Sequence, residues 1–106
     1  MPKYLISASY SAEGLRGLQR DKASGRRQAV TAAIEGLGGK VECFYHALGA
    51  DDAYVIADLP DSSTSAAFGI AVSAAGLVRT RTTALLTVEE VDRALEKTVN
   101  YRAPGR

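Results

Sequence analysis

The order of patterned segments along the chain is the feature that most limits its fold. Four stretches alternate apolar and polar residues with the period of two that strands show, at 3–10, 40–48, 52–59 and 78–86. Segments with helical spacing lie after the first, third and fourth stretches, and a short loop separates the second from the third. The predicted order is strand, helix, strand, strand, helix, strand and an added helix.

Start and stop signals support the predicted helices. Ser11 is a good cap for the first helix, whose pattern is interrupted over 21–25 and strengthens from Ser24 until Gly38–Gly39 ends it. The second helix is predicted over about 65–75, with four candidate caps at 61–64. Thr87–Glu90 has the form of a capping box and opens the last helix. The tail, 100–106, is predicted to be irregular.

This order predicts a single α+β domain over residues 1–106. It is the split βαβ arrangement of ferredoxin-like folds, βαββαβ, with an extra C-terminal helix. Such units place the strands antiparallel in the spatial order fourth, first, third, second, with both crossover helices on one face. The opposite face of the sheet is then left open.

Composition excludes several classes of protein. With 13 basic and 12 acidic residues the formal net charge is +1, which predicts neither nucleic acid nor membrane as a partner. A single cysteine, Cys43, forms no intrachain disulfide. The N-terminus lacks the apolar stretch of a signal peptide, and no apolar run reaches the ~20 residues of a membrane span. A cytoplasmic location is expected.

Several stretches of the sequence resemble the bacterial GYD-domain family. They are PKYLISASYSAEGLRGL at 2–18, GRRQAV at 25–30, IEGLGGKVE at 34–42, AYVIADLPD at 53–61 and RTTALLTVEEVDRA at 81–94. The resemblance implies a ferredoxin-like unit related to the dimeric α+β barrels, in which the open sheet faces of two subunits close on each other. It implies a fold and a homodimer, or an oligomer of dimers, more than an activity.

The motif that gives this family its name is incomplete here. The family has Gly, any residue, Tyr and Asp at the hairpin, whereas this chain reads Gly49-Ala50-Asp51-Asp52. Gly49 and Asp52 match the motif, and Asp51 replaces the aromatic residue. A role in the turn explains the matching glycine and aspartate as well as a ligand site does.

Alternation divides the residues of the hairpin between two faces. If Leu48 pairs with Asp52, one face carries mostly polar pairs: His46 with Tyr54, Phe44 with Ile56, and Glu42 with Asp58. The other face carries Val41, Cys43, Tyr45, Ala53, Val55 and Ala57 and suits packing under helices. In the last strand Arg79 and Arg81 join the polar set. Exposed Phe44, Ile56 and Leu85 on that face then favour a homodimer.

Each polar candidate has a functional and a structural interpretation. His46, the only histidine, is a candidate proton shuttle or ligand contact beside Tyr54, or simply a hydrogen-bonding residue of the sheet. Arg79 and Arg81 are candidates to hold an anion, or to form ion pairs with a partner subunit. Glu42 and Asp58 form either a functional carboxylate pair or a neutralised one. Cys43 is expected to be a small core residue.

Two hypotheses for function follow. In the first, the dimeric barrel binds a small anionic or phenolic molecule between His46, Tyr54 and a partner's Arg79 or Arg81, with cofactor-independent chemistry like that of monooxygenases or isomerases. In the second, the chain is a non-catalytic ligand sensor or an oligomeric interaction module. Neither hypothesis requires a cofactor, and the sequence contains no HExxH, CxxC, EF-hand or P-loop pattern.

Overall fold

The strands pair antiparallel in the order that the sequence predicts. In the computed structural model, which describes residues 1–106, the strands are β1 (Lys3–Tyr10), β2 (Lys40–His46), β3 (Ala53–Asp58) and β4 (Val78–Leu85). The helices are α1 (Ala12–Gly36), α2 (Ser62–Ala74) and α3 (Val88–Leu95). The sheet order is β2-β3-β1-β4, with the first strand of the chain inside the sheet. This α+β arrangement is compatible with the ferredoxin-like fold.

Helix α1 is one long helix with a kink where the pattern is interrupted. Its cap is Ser11, whose hydroxyl accepts a hydrogen bond from the Gly14 amide at 3.1 Å. Lys22 has φ 66° and ψ 166°, so the helical path breaks inside the predicted interruption at 21–25. Gly38, with φ 81°, takes the left-handed conformation that ends the helix, as predicted.

The other two helices also begin at side-chain caps. Helix α2 starts three residues earlier than predicted, because Asp61 is the cap and accepts hydrogen bonds from the Thr64 amide and hydroxyl at 2.8 and 2.7 Å. At α3 the predicted capping box is confirmed. The Glu90 amide donates to the Thr87 hydroxyl at 3.0 Å, and the Thr87 amide donates to the Glu90 carboxylate at 2.9 Å.

The core lies between α1, α2 and one face of the sheet. Ile34 of α1 and Phe68 of α2 pack against the same strand residues, so both helices cover one face, as predicted. The buried apolar cluster consists of Tyr4, Ile6, Ile34, Val55, Ala57, Leu59 and Phe68. We call the opposite side of the sheet the open face. It carries Lys3, Leu5, Ser7, Ser9, Cys43, Tyr45, Tyr54, Ile56, Asp58, Arg79, Arg81, Thr83 and Leu85.

The predicted register of the β2–β3 hairpin is wrong by one residue. Ala47, not Leu48, pairs with Asp52, which leaves a four-residue loop at 48–51. His46 therefore lies opposite Ala53, and Tyr45 lies opposite Tyr54. Because side chains alternate with a period of two, a shift of one residue exchanges the two faces.

Four residues of β2 consequently lie on the face opposite to the predicted one. Phe44 and His46 are on the helix-covered side, where Phe44 packs against the core, and not on the open face. Cys43 and Tyr45 are on the open face, so Cys43 is not a core residue and Tyr45 is 69% exposed.

A bulge between Val41 and Cys43 restores the predicted faces at the start of β2. Val41 lies opposite Ala57 on the covered side, as expected from its apolar character. Glu42 is the extra residue in the ladder. The bulge keeps Val41 in the core although Tyr45, later in the same strand, faces outward.

None of the three helices is both long and apolar enough to span a membrane.

Candidate functional site

A buried carboxylate joins three polar side chains on the open face. Asp51, in the hairpin loop, is only 5% exposed. Its Oδ1 accepts a hydrogen bond from the Ser9 hydroxyl at 3.0 Å, and its Oδ2 accepts one from the Tyr54 hydroxyl at 3.3 Å. The Arg81 guanidinium donates to the same Oδ2 and forms an ion pair with it. We call Ser9, Asp51, Tyr54 and Arg81 the Asp51 cluster.

Backbone contacts hold the hairpin loop over the end of β1. The Asp52 amide donates to the Ala8 carbonyl at 2.8 Å, and the Asp52 side chain accepts from the Tyr10 amide at 2.8 Å. Asp52 thus ties the loop to the strand next to β3, which places the preceding carboxylate, Asp51, above the open face. The motif aspartate therefore has a structural role, but its side chain ties the loop to β1 and makes no bond within the turn.

The strand register brings the other members of the cluster together. Ser7 of β1 lies opposite Tyr54 of β3 on one side and opposite Arg81 of β4 on the other. The row Tyr45, Tyr54, Ser7, Arg81 therefore crosses the whole sheet. Ser9 and Arg79 form the next row. Tyr54 and Arg81 meet within one subunit, through Asp51, without a second chain.

The cluster keeps Asp51 ionised. Burial by itself raises the pKa of this carboxyl group. The hydrogen bond from Ser9, the charge and hydrogen bond of Arg81 and the hydrogen bond from Tyr54 act in the opposite direction and outweigh it. The pKa of Asp51 is therefore lowered below its ordinary 3.8, so that the carboxylate is charged at neutral pH and is a poor proton acceptor.

This lowered pKa predicts a loss of stability in acid. The pKa of Asp51 is lower in the folded chain than in the unfolded chain. The ionised carboxylate therefore contributes fully to the free energy of unfolding above about pH 4, and this contribution is lost as the pH falls through the pKa of the folded chain. We expect Asp51→Asn to reduce the acid dependence of the free energy of unfolding, measured by urea titrations between about pH 2 and 5. The pKa values of Asp61 and Glu90 are also lowered, by hydrogen bonds with Thr64 and Thr87, but both carboxylates remain in the variant. The same dependence of the free energy of unfolding on pH in Asp51→Asn and the wild type would contradict the prediction.

The predicted neighbourhood of His46 and Tyr54 is wrong. The imidazole lies on the helix-covered side, with its ring centroid 5.2 Å from that of Phe44. It lines a shallow groove with Arg27 and the residues that follow the kink of α1, Ala23 and Ser24. The only histidine is therefore on the other face of the sheet from the Asp51 cluster.

A second polar group lies at the opposite end of the open face. The Lys3 ammonium contacts Glu42 at 2.7 Å and Asp58 at 2.9 Å. Hydrogen bonds with both carboxylates raise the pKa of Lys3. Glu42 and Asp58 thus form the neutralised pair of the structural interpretation, with a lysine of β1 as the neutralising group.

Two members of the site were not among the residues singled out in the sequence for chemistry. Ser9 has the parity of the open face but is a common, weakly informative residue. In the sequence Asp51 stands out only as the replacement for the motif aromatic residue, and a loop residue has no strand alternation from which to infer the direction of its side chain. No group of three or more His, Cys, Asp or Glu side chains is close enough to hold a metal ion.

The fold and the site define a class of protein: a small α+β domain with helices on one face and a polar cluster on the other. A sequence model of the GYD domain matches residues 4–95. The chain belongs to the GYD-domain family. No curated protein matches the chain significantly, and neither does any solved structure.

Proposed function

We propose that this GYD-domain protein is a non-catalytic binding protein for small anionic or phenolic molecules, with its site on the open face around the Asp51 cluster. The observation that carries the proposal is the buried Asp51 carboxylate, which fixes a guanidinium that is itself 72% exposed. A fixed arginine loses less conformational freedom when it binds a ligand, and this favours affinity.

The cluster offers donors that suit an anion. A guanidinium has five N–H donors, so Arg81 keeps free donors after pairing with Asp51. Arg79 lies two residues away on the same face and is exposed, with no ion-pair partner. The Asp51 cluster itself is neutral, because one carboxylate balances one guanidinium. The neighbouring Arg79 brings the local charge to +1, which favours a carboxylate or a phenolate.

Apolar and aromatic groups border the cluster. Tyr45 and Tyr54 lie side by side in the row that ends at Arg81, and Ile56 lies next in β3. Tyr54 uses its hydroxyl hydrogen on Asp51 and keeps an oxygen lone pair for a ligand hydroxyl. An aromatic ring that bears a carboxylate or hydroxyl group matches these neighbours.

The open face also supports homodimerisation as part of the function. Leu5, Ile56 and Leu85 remain half-buried on it, and no element of the same chain covers them. Apolar groups of this kind favour contact with a second copy. Closing two open faces, as in a dimeric α+β barrel, removes water from the cluster and strengthens its electrostatic contacts.

The position of the acid–base groups favours binding over catalysis. The imidazole of His46 is on the opposite face, and Asp51 has a lowered pKa, which makes it a weak base. Monooxygenase- or isomerase-like chemistry needs a group that accepts a proton from the substrate. Binding and sensing need only the fixed guanidinium and its neighbours.

The proposal is tested by calorimetric titration with benzoate, salicylate and 4-hydroxybenzoate as probes, and with benzyl alcohol as an uncharged comparison. We expect Arg81→Gln to weaken binding of the best anionic probe about tenfold or more, since a charge-assisted hydrogen bond is lost. Arg102→Gln, in the exposed tail, removes the same charge away from the site and is the matched control. No binding of any anionic probe, or equal losses in both variants, would refute this site.

A further inference from the structure

The groove beside His46 is a separate polar site on the helix-covered side of the sheet. It has a volume of about 250 Å³ and lies between the end of β2 and the second half of α1. Strand β2 contributes Phe44 and His46, which are two residues apart and so face the same way. Helix α1 contributes Ala23, Ser24 and Arg27, whose spacing of three and four puts them on one side of the helix. We call these five residues the His46 groove, and no carboxylate lines it.

The positive charge of the His46 groove is not paired with any carboxylate of the chain. Arg27 and His46 are both exposed, and neither is in an ion pair. Asp21 and Lys22, at the kink that precedes the groove residues of α1, carry opposite charges and offset each other. The guanidinium of Arg27 therefore remains in excess, and the imidazole adds to it when protonated. This balance of charge favours an anion as the ligand.

Arg26 adds a second guanidinium next to the groove. It is half-buried, and its Nε is buried without a hydrogen-bond partner. It lines a small apolar cavity together with Phe44, the residue that also lines the His46 groove. A buried N–H donor without an acceptor is costly. An anion bound nearby offsets part of that cost through its charge, because apolar surroundings screen the interaction little.

The kink of α1 adds backbone donors to these side chains. Lys22 has φ 66°, a conformation that costs free energy in any residue but glycine and that is often found at ligand sites. A new helical run starts after it, and Ala23 and Ser24 in the first turn of this run line the groove. The start of a helical run carries amide groups without helical partners and the positive end of the helix dipole. These amides suit an oxyanion that is already attracted by Arg27.

We propose that the His46 groove binds a phosphate group, either as inorganic phosphate or as the phosphate of a small ester. Arg27 and the imidazole supply positive charge, and the Ser24 hydroxyl supplies a neutral donor. A tetrahedral anion with several acceptor oxygens matches donors that come from two elements better than a planar carboxylate does. The groove is smaller than the about 300–1,000 Å³ of drug-sized ligand sites, which suits a single phosphate group. This site is distinct from the Asp51 cluster and does not depend on it.

Proton NMR of the full chain tests the site, because its only imidazole lies in the groove. Inorganic phosphate is added at constant pH and ionic strength, and the chemical shifts of the His46 ring protons are followed. We expect a saturable change with a Kd of ~1 mM or below. Arg27→Gln is expected to weaken binding about fivefold or more, since a charge-assisted hydrogen bond is lost. A parallel titration with phenyl phosphate distinguishes the sources: tighter binding than phosphate assigns the groove to esters, and weaker binding assigns it to the free ion.

Arg20→Gln is the matched control on the same helix. The Arg20 guanidinium lies 3.9 Å from the position of a Cβ on Gly17, before the kink, so this variant is expected to bind phosphate like the wild type. Arg81→Gln separates the two proposals, because it weakens binding on the open face and is expected to leave the His46 titration unchanged. No saturable change of the imidazole shifts up to ~20 mM phosphate would overturn the site. Equal weakening by Arg27→Gln and Arg20→Gln would overturn it as well.

Discussion

Replacing Leu59 by alanine is expected to lower the free energy of unfolding by about 3 kcal/mol. Leu59 is 0% exposed and belongs to the buried cluster that includes Ile34 and Tyr4. It follows β3 directly, and its amide donates to the Pro2 carbonyl at 3.1 Å, so it closes the end of the core where α1 also finishes. Truncation removes buried methyl groups and leaves a cavity that surrounding strands cannot fill.

The measurement is urea unfolding. The urea concentration at the midpoint is expected to fall, while the slope of the free energy of unfolding against urea concentration stays unchanged. A loss of this size is a large part of the total stability of a small domain. Leu48→Ala is the matched control, because Leu48 is fully exposed in the hairpin loop and the same atoms are removed. We expect the control to change stability by less than about 0.5 kcal/mol. Similar losses in both variants would show that Leu59 is not in the core.

The second large effect is expected for Gly14→Ala. Alanine normally stabilises a helix relative to glycine, but at this position it is expected to destabilise the chain. A Cβ atom at this position would collide with the carbonyl oxygen of Leu77 and lie 3.1 Å from its carbonyl carbon. Both atoms belong to the backbone, and the oxygen accepts the hydrogen bond from the Ser11 amide, so the carbonyl group cannot move aside cheaply. The start of α1 must shift instead, at an expected cost of about 2 kcal/mol.

Gly17 provides a control of opposite sign in the same helix. Its nearest contact for an added Cβ is the end of the Arg20 side chain at 3.9 Å, so alanine fits there. Gly17→Ala should therefore stabilise the chain by about 0.5–1 kcal/mol, the usual gain in a helix interior. Thermal unfolding is expected to show a lower midpoint temperature than the wild type for Gly14→Ala and a higher one for Gly17→Ala. Stabilisation by Gly14→Ala would show that α1 does not lie against Leu77.

The sequence predicts the order and pairing of the elements well because local signals determine them. Thr87 and Glu90 form the predicted capping box, and Gly38 ends α1 where the pattern stops. The kink at Lys22 falls inside the interruption that the pattern shows. The C-terminal tail is irregular, as its proline and glycine predict.

The site was less predictable because it depends on the register of one hairpin. A four-residue loop rather than a three-residue loop exchanges the faces of Tyr45 and His46. The bulge at Glu42 exchanges the faces a second time, so that Val41 returns to the predicted face. A strictly alternating sequence pattern does not predict such a bulge. Arg79, Arg81 and Tyr54 were placed on the correct face because β1, β3 and β4 have no such irregularity.

The position of β1 inside the sheet has a consequence for how the chain folds during synthesis. This strand leaves the ribosome first, yet its neighbours β3 and β4 begin at residues 53 and 78. Strand β1 has no strand to pair with until residues 53–58 of β3 have been made. Until then the side chains that it buries in the folded chain, Tyr4, Ile6 and Ala8, lack their cover. Pairing over such sequence separations is expected to slow folding relative to a fold built from local contacts, and to leave an apolar nascent segment exposed in the meantime.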